Sequence, residues 1–205
     1  MENAFLFVFQ MIVVLFSVIV HEVSHGVVAE RLGDPTARLA GRITLNPIKH
    51  IDPFGSIFLP VLLGIAGLPM FGWANPVPYN PRALKNPRVG AGKIAAAGPA
   101  TNFLFAVIFA IIYRTTSPGT PLAMLFAQIV IINIALAVFN LLPLPPLDGS
   151  KVLFSILPDT DGARKVALFL ERYGFYVLLV VIFFGGGLLA PIIGSLFRFF
   201  TGASF

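Results

Sequence analysis

The stretch "FLFVFQMIVVLFSVIVHEVSHGVVA", residues 5–29, is an apolar run that carries two histidines and a glutamate near its end. About 20 apolar residues suffice to cross the hydrocarbon core of a bilayer, so the run predicts a first transmembrane helix. His21, Glu22 and His25 are costly inside such a span. Ionisable groups placed there are rare and mark function.

The rest of the chain agrees with a membrane reading. Its 205 residues are 57% hydrophobic and only 11% charged, with a mean hydropathy of +0.90. A soluble domain averages about 25% charged residues, so this chain lacks the polar surface to face water. The first run has no basic segment ahead of its apolar core, which speaks against a cleavable signal peptide. With no cysteine, thiolate chemistry is excluded, and any metal must be held by His, Asp or Glu. The net charge of +5 reads as a topology signal and not as a nucleic-acid footprint. The Gly/Ala run from Gly90 to Ala100 lacks the GK[ST] of a phosphate loop, so neither nucleic acid nor nucleotide is an expected partner.

Further along, 31–53 reads as a basic, turn-rich loop whose "GRITLN" (41–46) suggests a short strand. Phe54–Phe71 is apolar but interrupted by Gly55, Pro60, Gly64, Gly67 and Pro69. A proline-rich basic loop follows at 73–88. Lys93–Tyr113 and Pro121–Leu142 read as membrane helices, 158–172 as a mixed-charge loop, and 173–200 as a C-terminal hydrophobic segment. Within that segment "GGG" (185–187) and Pro191 predict a kink or break. The fold class expected is all-α and polytopic: four to six transmembrane segments, a three-helix core and possible short β element, all in one membrane-embedded domain over 1–205.

Loop charge sets the topology. Arg31, Arg38, Arg42 and Lys49 flank Phe54–Phe71 on one side, and Arg82, Lys85, Arg88 and Lys93 on the other. Basic loops stay in the cytoplasm, so Phe54–Phe71 enters and leaves on one face as a re-entrant segment. Non-helical backbone buried by protein would suit its glycines and prolines. Arg114 alone marks the opposite loop.

HEVSH is H-E-x-x-H. His21 and His25 lie one turn apart on one helix face, where two imidazoles can share a zinc while Glu22 acts on a water. Catalytic zinc takes three protein ligands and keeps one open position. A third histidine six residues on is excluded by Arg31, Glu30 faces elsewhere, and His50 sits in the basic loop with a solvated or interfacial role. The other acids are loop residues beside Lys or Arg and read as solvated charge. Asp148 in "NLLPLPPLDGS" differs. It follows a membrane run directly, stands in proline-fixed backbone, and precedes Gly149. If Phe54–Phe71 does not cross, Asp148 returns to the half of the membrane that holds His21 and His25.

Together HEVSH, "GPATN" (98–102) and "FNLLPLPPLDG" (139–149) resemble the site-2 protease family of intramembrane zinc metalloproteases, in that family's order. The likeness covers about residues 5–157. The segments "TLNPIKHIDPFG" and "FGWANPVPYNPR" resemble its short bacterial and archaeal branch, without the PDZ or CBS domains of longer members. The resemblance implies one zinc ion held by His21, His25 and Asp148, with Glu22 as general base. It also implies a transmembrane segment of another membrane protein as substrate. Asn140 and Asn102 are candidates for binding substrate or the oxyanion. The competing reading of Asn140 is a packing residue satisfied by backbone, and that of Asn102, with Gly98 and Pro99, is shaping of the middle helix. Ile43, Thr44 and Leu45 are candidates for a substrate-pairing edge strand. A prokaryotic cell membrane, with the site toward the cytoplasm, is the implied location. A metal transporter using the same ligands and an inactive scaffold are the competing classes. The first would want ionisable residues along a path through the bilayer, and the intact Glu22 speaks against the second.

Overall fold

The computed structural model describes residues 2–65 and 73–203. α1 (Glu2–Arg31) is the long first helix, followed by the single turn α2 (Thr36–Leu39). The chain then passes through a 3-10 turn (Pro47–Lys49) and a π-helical stretch (Pro53–Phe58) into α3 (Leu59–Ile65). After a second 3-10 turn (Pro81–Ala83) come α4 (Pro87–Arg114), α5 (Pro121–Asn140), α6 (Asp148–Ile156), α7 (Asp161–Phe184) and α8 (Gly186–Thr201). Among the described residues there is no strand. Four helices (α1, α4, α5 and α7) are long and apolar enough to cross a membrane. The protein is an all-α, multi-pass membrane protein.

Local sequence explains the helix starts. Proline at the first turn needs no N–H there, and the side chain before it accepts an orphan amide. Asn86 caps Val89 ahead of Pro87, and Thr120 caps Ala123 ahead of Pro121. α4 is the central element, packed against α1, α5, α6 and α8. Its small residues make this possible: Ala106 and Ala110, one turn apart, meet Val130 and Ile134 of α5 and Phe197 of α8 in a buried cluster. Close approach through small residues, and not water exclusion, holds helices together in lipid. Much of the outer surface stays apolar, with Phe5, Leu104, Phe175 and Phe184 all exposed, as a lipid-facing surface requires.

Three sequence expectations change and one holds. The 158–172 loop is mostly helix, because α7 already begins at Asp161 with Thr160 capping Ala163. The break near Gly185 does occur, between α7 and α8. Residues 53–65 are helical, not irregular, and Phe54, Phe58, Leu62 and Ile65 are exposed. Residues 66–71 of the expected segment lie outside the described residues. The expected strand at Ile43, Thr44 and Leu45 is absent, since no second strand lies beside it. Local bonds take its polar groups instead: Thr44 O faces His50 Nε2 at 2.8 Å, and Asn46 N–H donates to Thr44 Oγ1 at 3.2 Å.

The two flanks of 53–65 do meet. Trp73 N–H donates to Gly55 O at 3.2 Å, and Ser56 Oγ donates to Trp73 O at 2.8 Å. The chain at Trp73 therefore lies beside the residues where the stretch began, as a re-entrant segment would require. Since the protein has no cysteine, this is open to a clean test. Single cysteines replacing Lys49 and Arg82 should both react with a membrane-impermeant thiol reagent from the same face. Reaction from opposite faces would mean that the segment crosses.

Candidate metal centre

α1 places His21 and His25 one turn apart, with ring centroids 4.7 Å apart and planes at 88°. α6 starts at Asp148, and the chain reaches it only because residue 149 is glycine. A Cβ there would stand 2.2 Å from Leu141 O and 2.3 Å from Leu142 O. Asp148 Oδ2 lies 3.0 Å from His21 Nε2 and 3.1 Å from His25 Nε2. All three side chains are buried. The other carboxylate oxygen, Oδ1, has Lys151 Nζ at 3.9 Å.

Hydrogen bonds on the far side of each ring settle what the near side offers. His21 Nδ1 is 2.6 Å from Asn102 Oδ1, and His25 Nδ1 is 2.7 Å from Ile94 O. Both partners are acceptors, so each Nδ1 carries the proton, and in the neutral ring each Nε2 turns a lone pair toward Asp148. Two such lone pairs and a carboxylate oxygen facing one another repel unless a metal cation or a proton lies among them. One ligand atom from each residue lies within 4.8 Å of the others. Bonds of about 2.0–2.2 Å put the ligand atoms of a tetrahedral centre roughly 3.3–3.5 Å apart, near the spacings seen here. The donor set therefore fits a zinc ion.

Small residues on α4 make room for the cluster. A Cβ on Gly98 would lie 2.5 Å from His21 Nε2 and 2.6 Å from its Cε1. Thr101 Oγ1 donates to Ser24 Oγ at 2.8 Å, which ties the same face of α4 to α1.

Glu22, half-buried beside the cluster, accepts the Val77 N–H at 2.9 Å on Oε2. Val77 stands between Pro76 and Pro78, so its N–H is the single backbone donor of that triplet. The extended strap around it is pinned at several points. Arg42 Nη2 donates to Asn75 O at 2.6 Å and Pro76 O at 3.0 Å, and Asn75 N–H donates to His50 O at 2.8 Å. Asp34 accepts the Asn80 N–H at 2.5 Å and both the N–H and the hydroxyl of Thr36. Burial alone would push the Asp34 carboxyl up. The Thr36 hydroxyl and the amides of Asn80 and Thr36 outweigh it and hold the pKa below the ordinary carboxylate value. A depressed carboxylate contributes its stability above its unfolded pKa and loses it as pH falls through the folded one. This one anchor of the strap is thus at full strength at neutral pH and weakens as pH falls through the folded pKa.

Two sequence expectations are corrected here. Asp34 is fully buried, not solvated, and so is His50 at 1% exposed. Part of what they meet is local, Thr36 for Asp34 and Thr44 O for His50; the Asn80 N–H on Asp34 and the Asn75 N–H on His50 O come from the distant strap. For Asp34 the local signal was "DPT", an aspartate whose side chain can cap the turn two residues on. His50 is not among the clustered ligands. Asn140 directs its amide to Leu136 O at 2.9 Å, one turn back on its own helix. Asn102 uses its amide fully within the protein, toward His21, Asn133 and Ser17.

The chain is similar in sequence to known proteins. The sequence profile of peptidase family M50 matches residues 9–123 and 114–185. The chain belongs to peptidase family M50. A Bacillus subtilis protein named "Putative zinc metalloprotease YwhC" is 41% identical over 179 residues, covering 83% of this chain and 78% of its own. "Putative zinc metalloprotease Rip2" of Mycolicibacterium smegmatis is 30% identical over 174 residues, 82% of this chain and 64% of that one. "Zinc metalloprotease MJ0392" of Methanocaldococcus jannaschii is 25% identical over 188 residues, 90% of this chain but 45% of its own length. No solved structure matches.

The contact at Gly98 yields a prediction. Gly98→Ala should force His21 aside at a cost of about 1–3 kcal/mol, or roughly 5- to 150-fold in metal affinity, with helix content unchanged. Equilibrium metal titration alongside circular dichroism measures both; unaltered affinity would mean that the His21 ring is not held as described.

Proposed function

We propose that this M50 peptidase is an intramembrane zinc endopeptidase that hydrolyses peptide bonds in or near transmembrane segments of other membrane proteins. One observation carries the reading: His21 Nε2, His25 Nε2 and Asp148 Oδ2 converge at 3.0–3.1 Å on a single buried point between apolar helices. That point lies well inside the bundle. His25 and His21 stand six and ten residues before Arg31, or about 9 and 15 Å along α1 at 1.5 Å per residue. The metal is zinc, as the donor set and the metalloprotease relatives agree. His21, His25 and Asp148 would hold it, leaving a fourth position open.

Zinc, when bound, polarises the scissile carbonyl and brings the pKa of a water from 15.7 to about 7. Glu22 is the general base. One of its carboxylate oxygens takes the proton as the water oxygen attacks the carbonyl carbon, and returns it to the amide nitrogen as the C–N bond breaks. The Val77 N–H holds Oε2 and leaves the second oxygen to move the proton. The strap pinned by Arg42 and Asp34 keeps Val77 there. Asn102 and Ile94 orient the two imidazoles.

Water must reach this depth. Residues 141–147, between α5 and α6, run to Asp148 at the level of the histidines without continuous helix. Backbone of that kind is tolerated at membrane depth only where protein buries it or a water-filled cavity meets it. The loops on the ligand side carry Arg31, Arg38, Arg42, Lys49, Arg82 and Lys85, against Arg114 at the far end of α4. By the positive-inside rule the site opens toward the cytoplasm of a prokaryotic cell.

Glu22→Gln separates hydrolysis from metal binding. Purified variant should keep one zinc per chain and lose about 10²–10⁴-fold in cleavage of a tagged single-span membrane protein. Cleavage at the wild-type rate would remove Glu22 from the chemistry.

A further inference from the structure

Asn133 lies in the middle of α5, in a span of mean hydropathy 2.5, and is 1% exposed. An amide in such surroundings must find partners. Its Nδ2 donates to Ile129 O one turn back at 2.9 Å, and its Oδ1 accepts from Asn102 Nδ2 at 3.0 Å. The Asn102 amide nitrogen also reaches Ser17 O at 3.3 Å, which leaves Asn102 Oδ1 against His21 Nδ1 at 2.6 Å.

The two ends of this chain are backbone carbonyls, and carbonyls only accept. Ile129 O therefore requires the NH₂ of Asn133, which turns the Asn133 oxygen toward Asn102. Ser17 O and Asn133 Oδ1 together require the NH₂ of Asn102, which turns the Asn102 oxygen toward His21. An acceptor at His21 Nδ1 requires a proton on that nitrogen, and the lone pair then falls on Nε2, facing His25 and Asp148. Each step follows from the one before it.

His25 needs no such chain. Its Nδ1 meets the Ile94 carbonyl directly, a group with one role. Asn102 is different, because an amide turned by 180° offers NH₂ where it had offered oxygen. Turned that way it would select the opposite tautomer of His21, with the proton on Nε2 and no lone pair for a metal. A turned Asn102 would also set its oxygen against Asn133 Oδ1 and Ser17 O, and this repulsion keeps it in place.

We propose that Asn133 is a positioning residue that fixes the metal-binding tautomer of His21 through Asn102, across three helices. It touches neither metal nor substrate. The inference rests on His21 being a zinc ligand.

Asn133→Thr and Asn133→Val have the same shape and leave the same space. The threonine hydroxyl can donate to Ile129 O and accept from Asn102, whereas valine does neither. Zinc affinity, measured by competition with a chromophoric chelator in detergent, should stay within about threefold of wild type for Thr. For Val it should fall by about 10- to 100-fold, the usual effect of losing a partner behind a metal ligand. Asn133→Leu, branched at Cγ like Asn with the same number of side-chain heavy atoms but apolar and bulkier, should behave like Val and replaces it if Val does not fold. A packing role predicts the reverse order, with Leu tolerated better than Thr. Equal affinities for Thr and its apolar counterpart, or Leu above Thr, would overturn the relay. His21→Ala is measured beside them. If it binds zinc like wild type, the ligand reading itself has failed; if it loses zinc while Thr and Val match, only the relay has failed.

Discussion

Two imidazole lone pairs and one carboxylate oxygen facing each other between lipid-embedded helices are the constraint on which the rest of this structure depends. Unpaired, that arrangement is repulsive and poorly solvated; with a divalent cation among them it becomes a binding site. To assemble it, α1 must deliver HEVSH inside the end that carries Arg31, and the chain after α5 must return Asp148 to the same depth. α4 must be narrow where it passes His21. Gly149 serves the second requirement through its approach to Leu141 O, and Gly98 serves the third. Neither glycine is explained by helix propensity, which disfavours both.

Polar groups inside the bundle are few and nearly all partnered. One row runs inward from Ile129 O through Asn133 and Asn102 to His21. Around Glu22 a second set pins an extended strap through Arg42, His50 O and Asp34. The first set acts on His21 and the second on Glu22. They come from different parts of the chain, α4 and α5 in one case and the loops after α1 in the other. Other polar contacts between the helices are neutral, such as Gln10 Nε2 to Gln128 Oε1 at 3.0 Å and Thr101 to Ser24, and among the described residues the clustered His and Asp side chains lie at one depth. That compactness suits a hydrolase better than a conduit for ions.

Much of this was legible in the sequence, for reasons that differ by residue. HEVSH could be read because helical periodicity alone sets two histidines on one face. Asp148 could be read because it follows an apolar run and precedes a glycine. The α7–α8 break showed through "GGG". The partners of buried polar groups were not legible. Asp34, Arg42 and His50 look like ordinary loop residues until tertiary contacts bring backbone amides and carbonyls to them, and Asn133 looks like an isolated amide. The strand expected at 43–45 failed because a strand needs a partner, which local sequence cannot supply. The mixed-charge segment after Thr160 was misjudged because its charges lie on an exposed helix and not in a loop.

Zinc K-edge X-ray absorption on the purified protein tests the central claim most directly, since it counts ligands without a substrate. The account predicts one zinc per chain in a shell of nitrogen and oxygen only, with the outer-shell scattering of two imidazoles, reduced to one in His21→Ala. A shell with one or three imidazoles in the wild type, or a wild-type spectrum left unchanged by His21→Ala, would contradict it.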